Sequence, residues 1–343
     1  MIDFRYHLVS VISVFLALAV GLLIGSTVLR PYVQKTLKVA SVAEKHEIDT
    51  LLQTRDQLQR QIAADNQFAQ ANEGLLLRQL LTGQHVVVVV APGAPDSVTS
   101  GVTQSLGLAG ASVTGQLQLQ ASFFDTSAIG RQKLTQLAEQ VAGQVPAPGP
   151  RLTGSAQAQA SELIANVVMT RDGPGQPVAG QRDSNSALVL NGLAHGGFLT
   201  TSGTPWDRAT LAVVIVPATP PSASEPNPAS QALVTLAQQL AHAGQGTVVA
   251  GSVTGSGPGS AIDMMRQGGQ AGNVSSVDDA DFPRGQITVV QALYEVMHGK
   301  SGSYGVLASA TAAGPSPGPS ASPSPSATST APGKPGQPLT GTP

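Results

Sequence analysis

His85 to Pro92 reads HVVVVVAP, a continuous apolar run that ends at a proline. Such runs are typical of strands that are covered on both faces, as in a parallel sheet. Leu211 to Val216 and Thr247 to Gly251 have the same character, and we interpret Ser186 to Leu193 in the same way. These strands predict a sheet that lies between two layers of helices.

Helical patterns lie between the predicted strands. Three segments are helix candidates: Ala229 to Ala243, Ala261 to Gln267 and Gln286 to His298. Strand and helix patterns that alternate favour β-α-β units with right-handed crossovers. Residues 84–308 therefore predict an α/β domain with a Rossmann-like, mostly parallel sheet. Stretches rich in proline and glycine are interpreted as its loops: residues 146–150, 173–180 and 217–228.

Residues 1–30 predict an N-terminal membrane anchor. Leu8 to Leu29 contains 22 residues without a charge, and about 20 apolar residues span a bilayer core of roughly 30 Å. A secretory signal peptide is the alternative, but its apolar region usually has only about 7–15 residues and precedes a small-residue cleavage site. We therefore expect an uncleaved transmembrane helix. Gly21 and Gly25 form a G-x-x-x-G pair, a spacing that lets two such helices pack closely.

Residues 34–82 predict a coiled-coil stalk. Six apolar residues fit a heptad seam: Leu37, Ile48, Leu51, Leu58, Ile62 and Leu76. Polar or small residues occupy the other seam positions: Ser41, Glu44, Arg55, Asp65, Ala69 and Asn72. Polar seam residues reduce stability but can fix register and oligomer state. We expect a parallel homodimer through the stalk, and a lone amphipathic helix packed on the following domain is the alternative.

Residues 309–343 predict a disordered tail rich in proline and serine. Lys334 is the one charged residue of this segment. A segment of this composition cannot bury enough apolar surface to offset the entropy of ordering it.

The residue inventory predicts a protein that is not an enzyme and has no resident cofactor. The chain contains no cysteine, and its formal net charge is −2. Thiolate chemistry is thereby excluded, and nucleic-acid binding, which usually needs a strongly basic face, is not expected. GSGPGS, from Gly255 to Ser260, is placed like a dinucleotide-binding loop. However, Ser260 stands at the position of the third glycine and Pro258 removes an amide donor, so we do not expect dinucleotide binding.

Because the chain has no cysteine, ligands for a soft metal ion would have to come from histidine and methionine. The histidines include no pair at three- or four-residue spacing: His7, His46, His85, His195, His242 and His298. Met264 and Met265 are adjacent, and adjacent residues of a helix point in different directions. We interpret these two residues, with Met169 and Met297, as core residues.

Asp278, Asp279 and Asp281 form a small acidic cluster. We interpret it as a solvated loop that caps the helix starting near Arg284, because negative charge complements the amino end of a helix dipole.

MIDFRYHLVSVISVFLALAVGLLIGS opens the chain, and NVSSVDDADFPRGQITVVQALYEVMHGKSGSYG spans Asn273 to Gly305. Both segments resemble the actinobacterial MctB family, whose members are often labelled copper transporters. The resemblance implies a cell-envelope protein with a role in copper homeostasis or transport, and bound copper is implied by the resemblance alone. A corynebacterial relative, SteB, is linked with a partner, SteA, to cell separation and septal peptidoglycan remodelling. A SteA-like membrane partner and a role as an envelope scaffold or regulator are therefore the alternative implication.

The membrane orientation follows from the resemblance. Arg30, Lys35 and Lys38 flank the anchor on its stalk side, against Arg5 on the other side. The positive-inside rule alone would place the stalk in the cytoplasm, whereas the resemblance implies a soluble part outside the cytoplasm. We expect a single-pass protein of the cell membrane with its soluble domain outside. We expect the cell membrane rather than the outer membrane, because outer-membrane barrels need repeated strands of about ten residues with alternating apolar and polar faces. This sequence lacks that pattern.

Overall fold

The computed structural model describes residues 4–145, 152–171, 173–218, 227–268 and 272–316. Within the first helix, the side chains of residues 4, 5 and 27–44 are outside this description. The contacts divide the chain into two compact units, Met1–Phe68 and Ala69–Pro343. The predicted disordered tail lies outside the described residues from residue 317 onward.

A single long helix, α1 (Phe4–Leu77), includes the predicted anchor and most of the predicted stalk. Within it, Tyr6–Ser26 is a 21-residue stretch with a mean hydropathy of 2.7, and none of it is buried. This stretch is long and apolar enough to cross a membrane. The N-terminal apolar helix predicted from the sequence is thus present.

In the described residues, seven strands form one mixed sheet. They are β1 (His85–Val90), β2 (Ser112–Leu119), β3 (Leu199–Gly203), β4 (Leu211–Ile215), β5 (Gly246–Ala250), β6 (Val274–Val277) and β7 (Ser303–Tyr304). The order across the sheet is β3-β2-β1-β4-β5-β6-β7. β3 is antiparallel to β2, and every other neighbouring pair is parallel. The predicted α/β class with a mostly parallel sheet is confirmed.

Helices connect these strands, and most begin at a side-chain cap. They are α2 (Asp96–Leu108), α3 (Ala128–Ala142), α4 (Ala156–Val168), α5 (Ser184–His195), α6 (Pro228–Ala243), α7 (Ala261–Gln267) and α8 (Pro283–Met297). Five of them have an N-cap side chain that accepts a hydrogen bond from a first-turn amide: Ser127, Ser155, Asp183, Asn227 and Ser260. Each cap satisfies an amide that has no partner inside its helix.

Two apolar cores lie on opposite faces of the sheet. In β1, Val87 and Val89 belong to the core that contains residues of α3, α4, α5, α6 and α7. Val86, Val88 and Val90 belong to the core formed with α2, α8 and the end of α1. Successive side chains of a strand point to opposite faces, so the all-valine run is explained by burial on both sides.

The last turns of α1 are part of the second core. Ala69, Glu73 and Leu77 are all less than a tenth exposed. The Oγ of Ser105, in α2, donates a hydrogen bond of 2.5 Å to the Glu73 carboxylate. Ala69, Glu73 and Leu77 are spaced four residues apart and so share one face of the helix. This part of the predicted stalk therefore packs on the α/β domain, as in the alternative of a single packed helix.

The strand predicted at Ser186 to Leu193 is wrong, because this segment lies within helix α5. Its buried residues are Ser186, Val189, Leu190 and Leu193, a spacing of three and four residues that gives a helix one apolar face. Asp183 caps its first turn, with the carboxylate 2.9 Å from the amide of Asn185.

Candidate functional site

Five of the six apolar seam residues predicted for the stalk lie on an exposed face of α1. Ile48, Leu51, Leu58 and Ile62 are between 48% and 62% exposed, and Leu76 is 46% exposed. Leu37 lies outside the described side chains. Such a row of exposed apolar side chains on a helix is typical of an association surface. Coiled-coil pairing itself stays a prediction.

Gly21 and Gly25 lie on open surface within the apolar stretch of α1. A Cβ atom added at either position would meet no atom within 4 Å. Another helix could therefore approach the backbone closely at these two positions. Their role in helix packing likewise stays a prediction.

Polar groups converge where β6 ends. The Arg266 Nη1 atom lies 2.8 Å from Asp278 Oδ2, and their side chains are 4% and 0% exposed. Arg266 also donates from Nε to the Ser276 hydroxyl at 3.0 Å and from Nη2 to the Tyr304 carbonyl at 2.7 Å. The amide of Val306 donates to Asp278 Oδ1 at 2.8 Å. This buried pair therefore joins α7, β6 and the segment that follows β7.

Asp279 lies beside this pair and is also buried. Its Oδ2 atom is 3.0 Å from Arg284 Nε, whereas its Oδ1 atom has no hydrogen-bond partner among the described residues. Burial raises the pKa of the Asp279 carboxyl, and the attraction of Arg284 only partly opposes that effect. A buried carboxylate with an unused oxygen carries a desolvation cost that its single ion pair does not remove.

The interpretation of the acidic cluster as a solvated, helix-capping loop is wrong for two of its three residues. Asp278 and Asp279 are 0% and 1% exposed. Helix α8 begins at Pro283, and its N-cap residue Phe282 makes no side-chain cap. The third residue, Asp281, accepts a hydrogen bond at Oδ1 from the amide of Val253 at 3.3 Å.

The methionines lie in or against the two cores. Met169 and Met265 are buried in the first core, and Met264 packs against it. Met297 packs against the second core. Their positions agree with the interpretation of these residues as packing residues.

The histidines are dispersed over the described part of the chain. His195 and His298 each have their Nδ1 atom 2.7 Å from a carbonyl oxygen of their own helix. His85 has a buried Nδ1 atom without a hydrogen-bond partner among the described residues. Within the described ranges, no three His, Cys, Asp or Glu side chains converge so that they could hold a metal ion.

The GSGPGS segment lies between β5 and α7, as the sequence predicts. Its backbone is packed against another loop, because a Cβ atom on Gly255 would lie 2.7 Å from the Cα of Ala218. The Ser260 hydroxyl caps α7 by accepting from the amide of Asp263 at 3.1 Å. The loop therefore packs against another loop of the same chain and caps α7.

A polar cleft between α4 and α6 was not predicted from the sequence. Its volume is about 690 Å³, and Glu162, Arg171, Gln239 and His242 are among its lining residues. An adjoining cavity of about 350 Å³ shares these four residues. They are separated by up to 80 positions in the chain, and no local spacing pattern connects them. Only the packing of α4 on α6 brings them together.

Comparison with known proteins gives one consistent result. Residues 1–315 match the family described as "Copper transport outer membrane protein, MctB". The chain is 28% identical over 311 residues to a protein of Mycobacterium tuberculosis strain H37Rv named "Copper transporter MctB". The matched residues cover 89% of this chain and 96% of that relative. It is 30% identical over 330 residues to the protein of the same name from Mycobacterium leprae, with 91% and 98% covered. The chain therefore belongs to the MctB family.

Proposed function

We propose that this chain is a non-enzymatic, membrane-anchored protein of the cell envelope that acts in a copper-related process. The observation that carries the proposal is the apolar stretch Tyr6–Ser26 of α1, in a chain that matches the family along residues 1–315. A helix of this length and hydropathy suits a bilayer core of roughly 30 Å. The α/β domain then lies outside the cytoplasm, and its strand order supports a Rossmann-like arrangement.

The anchor favours the cell membrane over the outer membrane. Outer-membrane proteins span the bilayer with closed barrels of alternating strands. The strands β4, β5 and β6 are instead buried on both faces, and the valines of β1 are as well. A single helical span suits a tether, and a tethered domain can serve a transport process without forming the path itself.

The copper-related role is exercised without a preformed copper site in the described part of the α/β domain. Tight copper binding needs several soft or imidazole donors that converge on one point. The methionines serve the cores instead, and the described histidines lie apart. In that case copper would bind to a partner protein, or this chain would hold such a partner in position.

The α1 seam supports a parallel homodimer. Ile48 and Ile62 stand at heptad position "a", and Leu51 and Leu58 stand at heptad position "d". β-branched residues at a with leucine at d favour two-stranded parallel coiled coils. Arg55 is a polar residue at the a position between these layers, where such residues restrict register and oligomer state.

A second function, an envelope scaffold or regulator of septal peptidoglycan remodelling with a SteA-like membrane partner, rests on the same observations. The exposed seam of α1 favours this function over direct copper handling, as does the lack of a cluster of three His, Cys, Asp or Glu side chains in the described ranges.

A copper titration tests whether the chain binds copper directly. The purified chain in detergent would be titrated with Cu(I) against a competing chelator and with Cu(II) by calorimetry. We expect no stoichiometric site tighter than about micromolar, a threshold of roughly −8 kcal/mol. A tighter site that is abolished by Met264→Leu, Met265→Leu or a histidine substitution would contradict the proposal.

A deletion strain tests the role in the cell. Copper sensitivity with normal division would support the copper-related role. Chained, unseparated cells at normal copper tolerance would support the scaffold instead.

A further inference from the structure

The cleft between α4 and α6 contains two opposite charges that do not form an ion pair with each other. Glu162 and Arg171 both line it. Neither side chain has an ion-pair partner within 4.0 Å in the described part of the chain. The concave surface therefore presents a carboxylate and a guanidinium that are separate from one another.

Arg171 is held in place by the backbone of α6. Its Nε atom donates to the Gly244 carbonyl at 3.0 Å, and its Nη2 atom donates to the His242 carbonyl at 2.5 Å. Carbonyl groups at a helix C-terminus carry partial negative charge and attract a cation. The guanidinium has five N–H groups in a rigid plane, so two bonds fix its orientation and leave further donors for a ligand.

Neutral amides line the same cleft. Gln238 and Gln239 lie on the last turns of α6, and their side chains make no hydrogen bond within the described ranges. Asn273 donates to the Gln245 carbonyl at 3.1 Å, which leaves its own oxygen available. A side-chain amide has both donors and acceptors, the same groups that a peptide bond presents.

We propose that this cleft binds a short zwitterionic peptide. The carboxylate of the ligand lies on Arg171, its ammonium group lies on Glu162, and its peptide group contacts the amides of Gln238 and Gln239. The volume of about 690 Å³ is in the range of small-molecule sites and accommodates a dipeptide. A ligand with a single charge would satisfy only one of the two charged residues. This site is independent of copper and so goes beyond the proposed function.

The test uses the full chain in detergent, with L-alanyl-L-alanine as the probe and saturation-transfer NMR as the measurement. We expect saturable binding in the millimolar range or tighter. N-acetylation of the probe removes its ammonium group and C-amidation removes its carboxylate. Each modification should weaken binding about tenfold, because hydrogen bonds to charged groups are worth more than neutral ones. No saturable binding, or equal binding of the capped dipeptides, would overturn the proposal.

Variants assign the two ends of the ligand. Glu162→Gln should abolish the preference for the free over the acetylated probe, and Arg171→Lys should weaken the preference for the free carboxylate. Glu139→Gln is the matched control, because Glu139 is exposed on α3 and does not line the cleft. Thermal unfolding of each variant establishes that it is folded. An unchanged preference in a folded Glu162→Gln protein would refute the assignment.

Discussion

Arg266 and Asp278 form an ion pair of 2.8 Å with side chains that are 4% and 0% exposed. Each residue has further partners, since Arg266 Nη1 also contacts the Ser309 hydroxyl at 2.9 Å and Leu307 donates its amide to Asp278 at 3.3 Å. The pair thus fixes the segment after β7 against α7 and β6. The mutual attraction and the further hydrogen bonds offset the desolvation cost that both buried charges carry.

Removing one partner of this pair should destabilise the protein strongly. We expect Arg266→Ala to lower the free energy of unfolding by about 3–5 kcal/mol, because Asp278 would remain as an uncompensated buried charge. Denaturant unfolding monitored by circular dichroism measures the change. Asp56→Ala is the control, since its pair with Arg55 is exposed, such pairs contribute about 0–1 kcal/mol, and Asp56 is not a seam residue. Equal effects of the two substitutions would contradict this account.

Asp279 should make the protein less stable as the pH rises. Its pKa is raised in the folded protein by burial, so the folded state holds the proton more tightly than the unfolded state. The favourable contribution is present below the unfolded pKa and is lost as the pH rises through the folded pKa. Asp279→Asn removes this titration.

The stability of Asp279→Asn relative to the parent protein should therefore increase between pH 4 and pH 7. Denaturant unfolding across this interval measures the trend, with Asp49→Asn at an exposed position as the control. A relative stability that falls with pH would show that Arg284 outweighs burial.

Gly285 tests how closely α8 approaches the turn before it. A Cβ atom at this position would lie 1.9 Å from the Asp279 carbonyl oxygen, which belongs to the backbone and cannot move aside cheaply. Gly285→Ala should lower the free energy of unfolding by roughly 1–3 kcal/mol or more.

Gly107→Ala is the matched control for this substitution. Gly107 lies in α2, and nothing is within 4 Å of its Cβ position. Alanine there should stabilise the protein by up to about 1 kcal/mol, because glycine is the poorer helix former. Destabilisation by both substitutions would show that close approach at Gly285 is not the cause.

Buried strands made of apolar residues were easy to predict from the sequence, whereas a buried strand that contains polar residues was not. β1 and β4 consist almost entirely of apolar residues, so their pattern is unambiguous. β6 was not predicted because it contains Ser275 and Ser276, which are buried but polar. Their hydroxyls accept from the amide of Gly302 and from Arg266, and partners this distant in the chain give no local signal.

Local patterns also could not predict the polar sites. The apolar run of residues 8–29 and the heptad positions are local patterns that the sequence alone reveals. Asp278 and Asp279 look like a solvated acidic turn until the fold brings Arg266 and Arg284 to them. Similarly, Arg171 meets α6 only through tertiary packing.

The seam of α1 should allow disulfide cross-links between two chains. The chain has no cysteine, so a single introduced cysteine has no competing partner. In a parallel, in-register coiled coil, identical d positions face each other. We expect Leu58→Cys to give a disulfide-linked dimer on mild oxidation, measured by non-reducing electrophoresis. Arg60→Cys, two positions along the helix and off the seam, should remain monomeric on the gel. Equal cross-linking at both positions would indicate collision between chains and not a seam.

The orientation of the anchor should place both ends of the soluble part outside the cytoplasm. Ser41 follows the apolar stretch of α1 and Ser329 lies in the Pro-rich tail. We expect Ser41→Cys and Ser329→Cys, each in the otherwise cysteine-free chain, to react with a membrane-impermeant thiol reagent on intact cells. A cysteine at Ile2, before the apolar stretch, should react only after the cells are lysed. This pattern is opposite to the one that Arg30, Lys35 and Lys38 would favour by the positive-inside rule, so the experiment discriminates between the two orientations. Protection of positions 41 and 329 together with labelling at position 2 would place the α/β domain in the cytoplasm.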